Sequence, residues 1–240
     1  MSVEGRQVHF EKPFGPYIVK TTISDQLHKI LLNTALKIRK SKKKRKTQDY
    51  RSKLAGNLSE EYSYEGSFTP QEKFIVYEEL CWLASIFTKT GKQAHNNIQD
   101  SREPHELKLH EPLWVNFMKA GEWNPSHAHT GDISAVMYLK IPKEIEEENK
   151  TAEHTSKGNT PSAGRIEFTY GDNIGYTCTG RFKTPVEKEI YMFPAKLKHH
   201  VYPFKSNVER ISVSVNFGDI INSTRNLQSS IKNEWLFKKP

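Results

Sequence analysis

The chain has 240 residues, 35% of them hydrophobic, which is enough for one large domain with a buried core. Its net charge of +8 has a local origin: KIRKSKKKRK (37–46) contains eight basic residues, and the rest of the chain has 28 basic and 28 acidic ones. No run reaches the roughly 18 apolar residues of a membrane span, and neither a signal peptide nor a disulfide framework is indicated. We therefore expect a cytoplasmic protein.

Residues 1–100 are predicted to form a strand and helices that pack on a core. HFEKPFGPYIVKTTI (9–23) has aromatic and β-branched residues broken by prolines, which is typical of an edge strand. A helix capped by Ser24 or Asp25 follows and continues into residues 37–46, the basic strip. The strip suits nucleic acid or an acidic partner protein, although a solvated helix end explains it equally well.

A second long helix is predicted from Thr69, because Pro70 fits the first helical position and Glu72 completes a capping box. Gly91 marks its expected end. Its apolar residues occupy most of its circumference, which predicts packing across a sheet.

Residues 101–221 are rich in short β segments with no helical pattern between them, and residues 222–240 form a tail. The predicted strands are LWVNFMKAG, DISAVMYLKIP, GRIEFTYG, EIYMFPA and RISVSVNFG. Strands in such a series favour a sandwich or barrel over a parallel sheet. The charged segment 143–163 has no apolar face and is predicted to be a loop, either a lid or an insertion.

Two histidines at alternate positions are the first candidate for chemistry. NPSHAHTGD (124–132) contains His127 and His129, with Asp132 close behind. Residues i and i+2 of a strand face the same side, so the two imidazoles can meet at one metal ion. A loop in which both side chains face solvent is the alternative.

A second segment offers further candidates. His199 and His200 lie in FPAKLKHHVYPF (193–204), and Arg210 opens an alternating strand in which Arg210, Ser212 and Ser214 share one face. An inward-facing arginine requires an anion to neutralise it. Alternatively, the arginine faces solvent and the apolar residues between these positions face the core.

Together these segments resemble the non-haem Fe(II), 2-oxoglutarate (2OG)-dependent dioxygenases. The closer likeness is to a family of 2OG-Fe(II) oxygenases found in tailed-phage and bacterial genomes, with a prolyl-hydroxylase-like jelly roll. That family's pattern has G-x-x-N-P-x-H-x-H, S-x-V-x-Y-L, F-P-x-x-L-x-H-x-V-x-P and R-I-S-x-S-x-N, and residues 113–217 contain all four in this order.

The resemblance implies a mainly β fold, a cupin-like double-stranded β-helix with N-terminal flanking helices, and Fe(II) as the metal. His127 matches the first metal ligand and His199 the distal one, which leaves His200 facing outward. Where most such enzymes have a carboxylate two residues after the first histidine, this chain has His129. Either His129 is the third ligand, which strand alternation favours, or Asp132 reaches the metal through a bulge.

The resemblance also implies a site for 2OG. Arg210 is expected to bind the distal carboxylate of 2OG through two hydrogen bonds, and Ser212 to add a third from its hydroxyl. Asn116 and Tyr138, on neighbouring strands, are further candidates for contact with the cosubstrate.

The favoured hypothesis is a dioxygenase that converts 2OG and O2 to succinate and CO2 while hydroxylating a protein or another macromolecule. One alternative is a three-histidine cupin-like metal protein that does not use 2OG. The other is a binding module in which the basic strip contacts nucleic acid or an acidic partner.

Overall fold

The computed structural model has two antiparallel sheets with helices packed on the larger one. The residues that it describes are 2–3, 5–11, 15–94, 107–109, 112–151, 160–172, 175 and 178–219. The predicted tail (222–240) and the predicted domain boundary at residues 100 and 101 lie outside the described residues. Within those residues, no helix is long and apolar enough to cross a membrane.

Three of the four described helices lie before residue 95, and most of the strands follow residue 106. The helices are α1 (Asp25–Lys40), α2 (Lys42–Thr47), α3 (Pro70–Ala94) and α4 (Lys143–Lys150), with a 3-10 turn at Arg51–Lys53. The strands are β1 (Ser2–Val3), β2 (Arg6–Gln7), β3 (His9–Glu11), β4 (Ile18–Thr22), β5 (Glu60–Ser63), β6 (Leu107–Leu109), β7 (Trp114–Lys119), β8 (Asn124–His127), β9 (Ile133–Lys140), β10 (Ile166–Thr169), β11 (Gly180–Lys183), β12 (Glu189–Pro194), β13 (Lys198–Val201) and β14 (Glu209–Asp219).

The eight-stranded sheet has the order β3-β4-β12-β9-β14-β7-β5, and β6 also pairs with β14. The four-stranded sheet has the order β11-β10-β13-β8, while β1 and β2 pair separately. Strands from both the first hundred residues and the later β region thus build the larger sheet. The single edge strand predicted for 9–23 is two strands, β3 and β4, paired antiparallel.

Two buried clusters divide the core. One lies between the helices and the outer face of the larger sheet, and the other lies between the two sheets. Helix α1 supplies Leu27, Leu31, Ala35 and Ile38 to the first cluster, all fully buried at the predicted helical spacing. The space between the sheets holds the candidate site.

The predicted helix starts are confirmed. The Ser24 side chain accepts a hydrogen bond from the Leu27 N–H, so Ser24 and not Asp25 caps α1. At α3, the Thr69 N–H donates to the Glu72 carboxylate (2.8 Å) and the Glu72 N–H donates to the Thr69 hydroxyl (3.2 Å). Helix α1 ends at Lys40, because Ser41 caps the separate short helix α2.

Two predicted boundaries differ from the structure. Helix α3 continues past Gly91 to Ala94. The glycine allows close packing rather than ending the helix, because a Cβ there would collide with the Tyr17 ring. Residues 143–150, predicted as part of a loop, are helix α4, and residues 152–159 of that segment lie outside the described residues.

Helix α4 was missed because one of its buried residues is charged. Ile145 and Glu148 are its buried side chains. The Glu148 carboxylate accepts hydrogen bonds from the backbone N–H groups of Lys205 and Ser206 and from the Ser206 hydroxyl. These bonds compensate for burial of the carboxylate, so the helix docks without an apolar stripe.

Candidate metal and cosubstrate site

Three histidines converge between the sheets. His127 and His199 are opposite each other on the antiparallel pair β8 and β13. His129 lies two residues beyond the end of β8, and its N–H donates to the Ala195 carbonyl (2.8 Å). The same-side geometry predicted for His127 and His129 is therefore produced by a strand end and an anchored turn, not by one continuous strand.

The imidazole rings are close enough to share one ion. Ring centroids are 4.3 Å apart for His127 and His199, 4.9 Å for His127 and His129, and 5.0 Å for His129 and His199. One ring nitrogen from each histidine lies within 4.8 Å of the others. The Nε2 atoms of His129 and His199 are 3.2 Å apart. Three imidazole nitrogens in this arrangement suit a divalent transition metal.

Backbone carbonyls fix the tautomers of two of these rings. The Nδ1–H of His127 donates to the Pro125 carbonyl (2.7 Å), and the Nδ1–H of His199 donates to the Leu197 carbonyl (2.9 Å). Each neutral ring then presents an unprotonated Nε2 to the space between the sheets. Such outer hydrogen bonds are the usual way in which proteins orient metal-binding histidines.

Burial keeps the three rings neutral, which is the protonation state that binds metal. Desolvation lowers the pKa of His199 well below its ordinary value and lowers that of His129 to about 4. The pKa of His127 is lowered as well, again chiefly by desolvation. Metal binding at neutral pH therefore does not have to displace protons from these rings.

Asp132 is not part of the histidine cluster. Its side chain is exposed, its N–H donates to the Phe217 carbonyl, and its carbonyl accepts from the Ala195 N–H. The backbone of Asp132, just before β9, is thus hydrogen-bonded to β14 and to the residue that follows β12. The alternative in which Asp132 reaches the metal through a bulge would require these hydrogen bonds to rearrange.

His200 faces the opposite side of β13 from His199, as strand alternation predicts. Its Nε2 lies 3.1 Å from the Glu167 carboxylate, and Tyr202 donates to the same carboxylate (2.7 Å). His199 instead contacts Phe168 and Phe193 in the core between the sheets. The two adjacent histidines therefore have different environments.

Arg210 points into the same interior space. Its side chain is 3% exposed, and no carboxylate among the described residues pairs with it. Its Nη1–H donates to the Gly164 carbonyl (2.8 Å), whereas Nε finds no acceptor in the described ranges. The guanidinium carbon lies 5.7 Å from the centre of the Tyr138 ring, and burial lowers the Arg210 pKa. A buried cation with spare donors is a receptor for an anion.

The other predicted cosubstrate residues lie on neighbouring strands at one level of the sheet. Asn116 on β7 is opposite Ser212 on β14, which is opposite Tyr138 on β9. All three are buried, and within the described part of the chain the Asn116 Oδ1 and the Ser212 Oγ have no hydrogen-bond partner. Burial raises the pKa of Tyr138 to about 12, so its hydroxyl remains a donor at neutral pH. Unsatisfied buried polar atoms of this kind indicate a missing polar ligand.

A cavity of about 170 Å³ joins these groups. Its lining includes every predicted metal and cosubstrate residue except Asp132: His127, His129, His199, Arg210, Ser212, Asn116 and Tyr138. It also includes Glu61, Asn124 and the segment 53–56, which sequence analysis did not select. The alternation in EEYS (60–63) was the available signal, since it places Glu61 and Ser63 on one face of a strand.

Residues 112–216 match the model of the family described as "Putative 2OG-Fe(II) oxygenase". These residues form a 2OG-Fe(II) oxygenase domain. The protein is accordingly an oxidoreductase that uses Fe(II), 2OG and O2. The donor set of the cavity fits these groups, with imidazoles for a metal and a buried guanidinium for a carboxylate.

Solved structures are similar to this chain over most of its length. AviO1 from Streptomyces viridochromogenes Tue57 has a TM-score of 0.51 and 11% identity over 85% of this chain and 90% of its own. A Trichoplax adhaerens prolyl hydroxylase, in complex with a hypoxia inducible factor peptide, has a TM-score of 0.47 and 10% identity over 88% and 87%. A Pseudomonas putida prolyl-4-hydroxylase has values of 0.41 and 13% over 83% and 91%. No curated protein sequence matches the chain.

The AviO1 likeness supports the predicted mainly β jelly roll with flanking helices. At 11% identity it is a likeness of fold alone.

The basic strip lies on the helical side of the oxygenase, at the end of α1 and along α2. Lys42, Lys43, Arg45 and Lys46 are exposed. Arg39, by contrast, bonds to both carboxylate oxygens of Glu209 and stacks over the Phe117 ring at 4.2 Å. Arg39 therefore has a structural contact of its own, and most of the exposed cations of the strip lie on α2, with Lys37 and Lys40 exposed on α1.

Proposed function

We propose that His127, His129 and His199 hold Fe(II) and that Arg210 binds the distal carboxylate of 2OG. The observation that supports this most strongly is the pairing in one cavity of three neutral imidazoles with a buried guanidinium that no described carboxylate neutralises. A dianionic 2-oxo acid supplies what both groups lack: a chelating end for the metal and a carboxylate for the arginine.

The remaining polar groups position the same cosubstrate in this proposal. Ser212 and Asn116 have atoms without partners on the cavity wall, and Tyr138 keeps its hydroxyl proton. Hydrogen bonds donated by the Ser212 and Tyr138 hydroxyls would align the carboxylate with Arg210. When bound, Fe(II) and 2OG together supply the oxidising chemistry, and the protein supplies ligands, orientation and a cavity shielded from water.

We further propose that the prime substrate is hydroxylated at a C–H bond, with 2OG and O2 converted to succinate and CO2. A protein or another macromolecule is compatible with a cavity whose lining includes the exposed residues Lys53, Ala55 and Ala128. Succinate formation from 2OG, with the metal supplied, tests the reaction. We expect His199→Ala to abolish it, and undiminished turnover in that variant would contradict the proposal.

The exposed cations of α2 support an additional partner proposal. Lys42, Lys43, Arg45 and Lys46 are adjacent and have no carboxylate partner among the described residues. Such a cluster binds anionic macromolecules, whether nucleic acid or an acidic protein surface, with strong dependence on salt.

A further inference from the structure

Glu61 is a buried carboxylate in the cavity that has no role in binding metal or 2OG. It lies on β5, the edge strand of the larger sheet, and is 1% exposed. Its Oε2 atom has no hydrogen-bond partner among the residues that the structure describes. Because burial of an unsatisfied carboxylate is costly, its presence here calls for a ligand.

The strand register places Glu61 in one row with the proposed cosubstrate residues. Glu61 is opposite Asn116, Asn116 is opposite Ser212, and Ser212 is opposite Tyr138. Neighbouring strands are about 4.8 Å apart, so Glu61 lies roughly 10 Å from Ser212 along this row. Ser212 and Tyr138 occupy one end of the row and Glu61 the other, with Asn116 between them, which leaves Glu61 facing a different part of the cavity.

A loop and a second amide complete the surroundings of Glu61. A Cβ on Gly56 would lie 2.5 Å from the Asn124 Oδ1 and 3.0 Å from the Glu61 Oε1, so both oxygens approach the same point. The Asn57 N–H donates to the Trp123 carbonyl (2.8 Å) and holds this loop beside β8. Glycine at position 56 thus permits the two acceptors to converge.

Three buried acceptor atoms around Glu61 have no hydrogen-bond partner among the described residues. The Oδ1 atoms of Asn116 and Asn124 are buried without partners, as is the Glu61 Oε2. Desolvation, followed by the charge of Glu122, raises the Glu61 pKa to about 7, and Arg51 opposes the shift. Lys53, also on the cavity wall, is exposed to solvent. The part of the cavity wall that surrounds Glu61 is therefore rich in unsatisfied acceptor atoms.

We propose that Glu61, with Asn116 and Asn124, binds a cationic, hydrogen-bond-donating group of the prime substrate, a guanidinium or an ammonium. This rests on the proposed function, because it assigns the substrate class of the same cavity. A guanidinium supplies five N–H donors and a compensating charge, which satisfies the acceptors that burial leaves open. A neutral analogue of the same shape would leave the carboxylate without a counter-charge and should be rejected.

The test compares charged and neutral probes of nearly equal shape. N-acetyl-L-arginine amide and N-acetyl-L-citrulline amide are titrated by calorimetry into the anaerobic protein with Fe(II) and 2OG, and N-acetyl-L-lysine amide and N-acetyl-L-norleucine amide form a second pair. We expect at least one cationic probe to bind about tenfold more tightly than its neutral counterpart, as one charge-assisted hydrogen bond allows. Glu61→Gln should bring that ratio close to one.

Glu60→Gln is the matched control, because Glu60 is adjacent in sequence but pairs with Lys119 outside the cavity (2.9 Å). Its preference for the cationic probe should equal that of the wild type. Equal affinities within both pairs, no binding of either cationic probe, or a preference that survives Glu61→Gln would each overturn the inference. Absence of an Fe(II)–2OG complex in wild-type protein without any probe would instead contradict the proposed function.

Discussion

His127 and His199 lie directly opposite each other on β8 and β13, with ring centroids 4.3 Å apart. The ladder shifts register between His199 and Val201, so β8 is irregular just before His127. Such irregularities bend a strand and redirect a side chain. Because backbone pairing sets the spacing of the two rings, the protein presents them to a metal without rearranging its strands.

Replacing His199 with alanine should lower the affinity for Fe(II) by about 100-fold or more, since removal of a ligand should cost at least as much as removal of the hydrogen bonds that orient it. Anaerobic calorimetric titration with Fe(II) measures this. His200→Ala is the matched control, because His200 is adjacent but faces Glu167 on the other side of β13. The Fe(II) affinity of this variant should stay near that of the wild type. Equal losses in the two variants would place the site elsewhere.

His129 and Asp132 are competing candidates for the third ligand, and one pair of variants separates them. We expect His129→Ala to weaken Fe(II) binding strongly, because its Nε2 is 3.2 Å from that of His199. Asp132→Asn should have little effect, because the Asp132 side chain is exposed and outside the cluster. The same Fe(II) titration decides between them, and the reverse order of effects would establish the bulge alternative.

Sequence patterns located the histidines but could not orient Arg210. The strand from Arg210 alternates polar and apolar residues, which is equally typical of a strand with one face in solvent. In the structure both faces are covered: Ile211, Val213 and Val215 pack toward the helices, and Arg210 and Ser212 face the cavity. Only the presence of helices on one side and a second sheet on the other distinguishes the two possibilities.

Glu61→Gln should change how stability depends on pH. The folded-state pKa of Glu61, about 7, is raised above the ordinary carboxyl value. The contribution of Glu61 to the free energy of unfolding is therefore fully present below about pH 4.5 and is lost as pH rises through 7. Glutamine does not ionise and avoids this loss. The variant should therefore gain up to about 3 kcal/mol over wild type between pH 5 and pH 8.

Urea denaturation of both proteins across this pH range measures that difference, in which the titration of shared groups cancels. Glu60→Gln should show no comparable gain, because Glu60 is less buried and is paired with Lys119. A difference between wild type and Glu61→Gln that stays constant with pH would contradict a desolvated Glu61.

Neutralising part of the basic strip should weaken binding to anionic macromolecules without affecting the oxygenase site. We expect Lys42→Gln/Lys43→Gln to lower the affinity for duplex DNA. The slope of log K against log salt concentration should become shallower by about 0.9 for each phosphate that the strip no longer neutralises. Fluorescence anisotropy across a salt series measures both. Lys140→Gln/Lys143→Gln removes the same charge from exposed positions outside the strip. Matching losses in the two double variants would show a nonspecific effect of net charge.

The burial of Glu61 and Glu148 depends on contacts with residues far away in the sequence, which sequence patterns do not predict. Glu61 precedes Asn116 by more than fifty positions, and only the pairing of β5 with β7 puts them on one cavity wall. Glu148 was assigned to a loop because its burial depends on backbone donors at Lys205 and Ser206. Local periodicity contains no information on such partners, whereas the spacing of His127 and His129 is local.

The most direct test of the central claim is an anaerobic titration with Fe(II) and then 2OG, monitored through the visible charge-transfer band of a metal-chelated 2-oxo acid. We expect the band in wild type, and in Arg210→Ala only at much higher 2OG concentration, because the buried guanidinium no longer binds the distal carboxylate. Fe(II) binding in wild type with no band at saturating 2OG, or the same 2OG affinity in Arg210→Ala, would contradict the account.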